Sequence, residues 1–223
     1  MTIATDLAHR ICALTFDALP AEAVHWARVG ILDTVGVTLA GAPEPCAVLA
    51  RRVASPASGR ALLFGTAERT APAEAAWVNG TASHALDFDD CSNTLGGHPS
   101  APVLPALFAL ADGSDLTGRD FITAYIAGFE TETRIARAVN FYHYEKGWHP
   151  TATLGVFGAA AACSALLRLT AEQTATALAI ATSFASGLKA NFGTMTKPLH
   201  VGQSSRNGLR RCAKTIASDW WSR

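Results

Sequence analysis

The sequence predicts an all-α fold of Ala-rich, closely packed helices, and three observations carry that reading. Apolar residues recur at helical spacing along most of the chain, and only one short stretch, residues 60–65, reads as a strand. Hydrophobic residues make up 49% of the 223 residues and charged residues only 16%. That is too little charge to coat every helix, so much helix surface must lie against other helices or a partner subunit. Small residues (Ala, Gly, Ser) line many of the helical faces and let helices approach closely.

Each element follows from local signals. Residues 4–15 carry Leu7, Ile11 and Leu14 at helical spacing. Pro20 opens a second helix with Glu22 in its first turn; Val24, Ala27, Ile31, Val35 and Leu39 continue it until Gly41-Ala42-Pro43 ends it. Residues 46–53 form a third helix, and residues 55–59 a turn before the strand candidate. Pro72 starts a helix that runs through Ala76, Trp77, Gly80 and Ser83 into an acidic cluster. Pro99 restarts a helix that Asp112-Gly113-Ser114 breaks after Ala111. Thr117 caps the next helix, which carries Phe121, Tyr125, Phe129 and Ile135 on one side. Residues 140–148 read as an aromatic loop, and Pro150 opens an Ala-rich helix to Leu169. Thr170 and Gln173 form a capping box for a helix ending near Ser186. Residues 187–196 are irregular, and Pro198 opens the last helix.

Composition narrows the function. Lys+Arg and Asp+Glu both number 18, with no basic stripe, so nucleic acid is not an expected partner. No apolar run reaches membrane-spanning length, and the first residues lack the basic-then-apolar order of a signal peptide. Five scattered cysteines without CxxC spacing read as reduced thiols. The expectation is a cytoplasmic protein.

The chemistry concentrates between His84 and Ser100. Asp87, Asp89, Asp90, His84 and His98 fall together around Gly96-Gly97, between two apolar helices. Buried charge costs free energy unless it is paired or used. His98-Pro99, His149-Pro150 and Lys197-Pro198 share one layout: a cationic or imidazole side chain, then proline, then a helix. Helix entrances favour anions, so three of them facing one cavity would hold a substrate with several carboxylates. Plainer readings stand beside this one. The aspartates can cap helices or pair with arginine. His84 reads first as a helix-face histidine bonded to a neighbour, His9, His25 and His143 as packing or surface residues, and Arg134 and Arg137 as helix-surface pairs. A metal site of Asp87, Asp89, Asp90 and His98 would suit Mg²⁺ or Mn²⁺.

The segments His84-Ala-Leu-Asp-Phe-Asp-Asp, Gly97-His98-Pro99-Ser100 with Leu104-Pro105-Ala106, Gly128-Phe129-Glu130, Gly147-Trp148-His149-Pro150-Thr151 and Thr196-Lys197-Pro198-Leu199-His200-Val-Gly, in that order, resemble the MmgE/PrpD family. The resemblance implies a helical domain that carries most of an active site, a smaller α+β lid domain, and a homodimer. It implies a cofactor-free lyase, a dehydratase or decarboxylase of a small di- or tricarboxylate such as 2-methylcitrate or cis-aconitate. An epimerase of an imino- or dicarboxylic acid and a non-catalytic helical module are the alternatives. Asp87, His98, His149 and Lys197 take the positions of active-site residues. Cys91 or Thr94 stands where relatives use a small hydroxyl residue, and His200 lines the pocket. The resemblance extends to about residue 210. Residues 1–210 are therefore expected to be an incomplete helical domain without its lid, and residues 211–223 a tail unlike the family.

Overall fold

The structure is a computed structural model that describes residues 2–54 and 58–217. Capping and proline set where its helices begin. Thr2 closes a capping box with Thr5 at the head of α1 (Ile3–Ala13), Thr117 one with Asp120 at α6 (Gly118–Val139), and Thr170 one with Gln173 at α10 (Ala171–Thr182). Each box satisfies backbone donors that the first helical turn leaves free. Proline does the same work at α3 (Pro45–Val53) and α4 (Pro72–Ser83), where it occupies the first helical turn. Pro20 precedes α2 (Ala21–Gly41). The last of the long helices, α11, runs Thr196–Ala217.

Three helices are buried on nearly all sides. They are α4, α5 (Ser100–Ala111) and α9 (Gly155–Leu166), whose buried residues are mainly Ala, Gly, Val, Leu, Ser and Thr. A helix apolar all round belongs in the centre of a domain. α11 packs along α4 and α9, α6 along α9, and α1 against α10. Glycine brings the axes together at these crossings: a Cβ on Gly202 of α11 would run into the Trp77 carbonyl and Thr81 of α4. Buried Glu74 on α4 is clamped by Arg206 at 2.8 Å and Arg210 at 3.1 Å from α11. The outer face of α2 exposes Trp26, Val29, Leu32 and Leu39.

The all-α reading holds, with one short hairpin. β1 (Ala61–Leu62) pairs antiparallel with β2 (Arg69–Thr70), with Ala61 opposite Thr70. The second strand had no sequence signal, because tertiary contacts hold it: Asp112 accepts from Leu62 N–H and Arg69, and Asn79 bonds Phe64 N–H and the Leu62 carbonyl.

Four expectations are corrected. The aromatic loop contains a single-turn helix, α7 (Tyr142–Glu145). The helix expected from Pro150 to Leu169 is two: α8 (Pro150–Thr153) ends at Leu154, and α9 starts at Gly155, where a Cβ would strike the Pro102 ring. α10 ends at Thr182, four residues early. The last helix begins at Thr196, so Lys197 and Pro198 lie inside its first turn. Of the expected turn, residues 55–57 lie outside the described residues, as do residues 218–223 of the expected tail. Among the described residues, no helix is long and apolar enough to cross a membrane.

Candidate functional site

The site forms where α4 ends. His84 caps the C-terminus of α4, and the chain turns sharply through Asp87, whose φ of 59° lies in the left-handed region that aspartate tolerates better than most residues. The loop then runs back to α5. Ser92 and Gly97 exchange backbone hydrogen bonds across it, Gly96 supplies a φ of 64°, and fully buried Leu95 anchors it against Ala136 and Leu154. Asn140 Nδ2 donates to the Leu95 and Thr94 carbonyls from α6.

Four predicted residues meet around this loop. Lys197 Nζ donates to Asp87 Oδ1 at 2.5 Å. His98 Nε2 lies 3.4 Å from the same oxygen. His149 stacks on His84, with ring centroids 5.6 Å apart and planes inclined by 28°. His200 extends the row, 5.7 Å from His149, and Phe192 closes on the His149 ring at 4.9 Å. The four side chains come from the ends of α4, α5, α8 and α11. The expected convergence of Asp87, His98, His149 and Lys197 is therefore observed, although the shared device behind it differs in detail. Only Pro150 occupies a first helical position; Pro99 sits one residue before α5, and Lys197 is already helical. Nor is the entrance of α5 free, because Asp90 accepts from the Ser100 N–H at 3.1 Å.

Electrostatics divide the cluster. Burial opposes ionisation of Asp87, but the hydrogen bond and charge of Lys197, with His84 and His98, hold its carboxyl below the ordinary value. Its side chain is 55% exposed, so the cluster meets solvent there. His149 is lowered too, which for an imidazole favours the neutral form. Burial first, then His84, His200 and Lys197, lower it to about 2, so it stays neutral. Its Nδ1 is buried with no hydrogen-bond partner among the described residues. Burial, then His84, lowers His200.

The remaining candidates separate clearly. Cys91 is exposed, with Sγ 4.0 Å from His98 Nε2. Burial raises its thiol pKa, as do the charges of Asp89, Asp90 and Asp87. Thr94 is exposed, and among the described residues its side chain makes no hydrogen bond to the cluster. Asp90 turns away from the cluster. Its carboxylate accepts from the Ser100 hydroxyl at 2.5 Å, and that hydroxyl lies 2.5 Å from Tyr125. The plain capping reading is right for Asp90, and the metal set that included it is corrected. The donors that lie within 4.8 Å of one another are His84, Asp87, Asp89 and His98. Of these, Asp89 was expected as a cap or as a metal ligand, and His84 as a helix-face histidine. His84 is bonded to a neighbour as expected, with Nδ1 2.7 Å from Asp89 Oδ2, yet it forms the floor of the site. A cleft of about 650 Å³ beside Phe16 and Arg168 is remote from this chemistry. A second cleft, about 590 Å³ between α2 and α6, touches the loop at Phe88, Asp90 and Cys91.

Comparison with known proteins fits this arrangement. The family model described as MmgE/PrpD N-terminal domain matches residues 5–216. The human cis-aconitate decarboxylase is 34% identical over 210 residues, covering 85% of this chain and 44% of the human protein. The mouse enzyme of the same name is 38% identical over 146 residues, 63% of this chain and 30% of its own length. The Aspergillus terreus enzyme is 32% identical over 217 residues, 93% of this chain and 44% of its own. The chain thus spans less than half the length of these relatives. With the family model matched along almost the whole chain, this protein belongs to the MmgE/PrpD family, and its helices are those of the family's N-terminal domain.

Proposed function

We propose that the chain carries the substrate-holding part of a lyase, a decarboxylase or dehydratase acting on a small di- or tricarboxylate. The observation that carries this reading is the Asp87–Lys197 pair set among three imidazoles. Loss of carbon dioxide or of water from such an acid develops negative charge on a carbon next to a carboxylate. A site for it needs fixed cations and donors toward that charge, and an imidazole able to move a proton. Lys197 is the cation, held in place by Asp87 and lying over the Phe192 ring at 5.1 Å. A substrate carboxylate entering beside Asp87 shares the ammonium with it.

His149 is the proton-moving group in this reading. It is held neutral by burial, so it can accept a proton. A bound polycarboxylate adds negative charge nearby, which raises its proton affinity in the complex. His98 is the second imidazole and orients the acid from the opposite side of Asp87. The positive charge is supplied by Lys197, and no resident metal is required. Stoichiometric metal retained after a chelator wash would remove this part of the reading. The names of the relatives make cis-aconitate the first acid to test.

The test is binding and turnover. The chain is incubated with cis-aconitate and with 2-methylcitrate, and products are followed by NMR. Binding of one acid, seen as broadening of its signals, is the expected result for this chain, and any conversion should be abolished by His149→Ala with the far-UV spectrum unchanged. Near-normal conversion by that variant removes His149 from the mechanism, and absence of both binding and conversion rejects the lyase reading. We further propose a homodimer, supported by the apolar outer face of α2. Light scattering should give twice the mass of the chain, and a value of one chain mass contradicts it.

A further inference from the structure

The cluster contains a carboxylate that the proposed chemistry does not use. Asp89 has no exposed side-chain surface, and its Oδ2 faces two histidines at once: His84 Nδ1 at 2.7 Å and His98 Nδ1 at 3.4 Å. The Asp89 backbone carbonyl lies 3.2 Å from the same His98 nitrogen. A carbonyl oxygen only accepts, so His98 must carry its proton on Nδ1 to bond it. An ionised carboxylate likewise only accepts, so His84 must carry its proton on Nδ1.

The consequence falls on the other ring nitrogens. His84 Nε2 is buried without a hydrogen-bond partner among the described residues, and lies 3.8 Å from Asp87 Oδ1. His98 Nε2 lies 3.4 Å from that oxygen. The two rings meet edge-on, with centroids 4.7 Å apart. His98 Nε2 also has Cys91 Sγ at 4.0 Å, and both nitrogens lie within 4 Å of Asp87 Oδ1, where a proton taken up by either would be stabilised by a carboxylate. An unpartnered imidazole nitrogen costs stability wherever it is buried, which is reason to look for a use.

We propose that Asp89 is a positioning residue that locks His84 and His98 in the same Nδ1–H tautomer. His84 thereby joins His98 as a second proton acceptor facing Asp87. The tautomer assignment stands on geometry alone; the role in a reaction rests on the lyase reading above.

The experiment has two arms. In the first, the chain is labelled with ¹⁵N-histidine, and long-range ¹H–¹⁵N spectra are assigned by loss of signals in His84→Gln and His98→Gln. Both rings should show a protonated Nδ1 and a bare Nε2 at neutral pH. A protonated Nε2 on either ring overturns the proposal. The wild-type spectra decide this, so a variant that folds poorly does not blunt the test. In the second arm, Asp89→Asn is assayed with whichever acid the chain converts. Its amide offers a donor where a carboxylate was, so the His84 tautomer should shift, while the Asp89 backbone carbonyl still holds the Nδ1 proton of His98. The value of kcat should fall on the order of a hundredfold or more, as when a catalytic imidazole carries its proton on the wrong nitrogen. KM should change little, the acid limb of the pH profile should move, and Asp89→Glu should restore part of the rate. An unchanged pH profile with normal kcat overturns the positioning role. Correct tautomers in a chain that neither binds nor converts any acid would sink the lyase reading and leave the tautomer assignment standing.

Discussion

His149 shows how one residue's surroundings set its chemistry. Burial, then His84, His200 and Lys197, hold it to about 2, whereas an unperturbed imidazole titrates near roughly 6.5. Between those values the unfolded chain binds a proton that the folded one refuses. The unfolded state thus binds more protons across this window, so stability rises with pH through it and falls on acidification. Asp87 and His200 act in the same sense, since both are lowered in the folded state. Glu132 and Asp90, both raised in the folded state, act in the opposite sense, so the His149 contribution is read from a difference: as pH is lowered from about 7 to about 5, the melting temperature of the chain should fall relative to that of His149→Gln. Equal slopes in the two proteins would show that His149 does not titrate this way. At this scale the sequence was most informative about exposed or loop-borne chemistry. His98, His149 and Lys197 could be singled out from residue type and the proline that follows each, whereas Asp87 was separated from Asp89 and Asp90 only by the family resemblance. His84 and Asp89 could not be paired, because their contact depends on the left-handed turn at Asp87 folding the chain back beneath α4.

Among the elements, glycine marks the crossings that hold the site in register. Gly202 of α11 lies against the Trp77 carbonyl and Thr81, one turn above the Ser83–His84 end of α4, and the same helix delivers Lys197 and His200. Adding a methyl group there forces the two helices apart. Gly202→Ala is expected to cost about 1–3 kcal/mol, the range for overpacking a tight core, and to lower the melting temperature by about 2–4 °C per kcal/mol. An unchanged melting temperature would show that α4 and α11 are not pressed together at this point. The capping boxes at Thr117 and Thr170 were legible because their chemistry is local. The break between α8 and α9 and the pairing of β2 were not, because packing against Pro102 and bonding to Asp112 decide them from a distance.

For the whole molecule, the low charge of the sequence and the burial of α4, α5 and α9 tell one story: polar groups are concentrated where helix ends converge. Buried charge also lies away from those ends: Glu74 is paired with Arg206 and Arg210, whereas Glu132 has no hydrogen-bond partner among the described residues. It is wholly buried on α6 against Gly158, and burial, then the charge of Asp90, raise its carboxyl well above the ordinary value. The all-α architecture could be read from periodicity and composition. Convergence of four helix ends on one cluster could not, because nothing in residue spacing fixes how distant helices cross. The central claim is that this convergence binds a polycarboxylate through Lys197. Calorimetric titration of the chain and of Lys197→Ala with cis-aconitate tests it most directly. The account predicts saturable binding by the chain and affinity weaker by about tenfold or more in the variant, the worth of a charge-assisted contact. Equal affinity in the two proteins, or no binding by either, would contradict it.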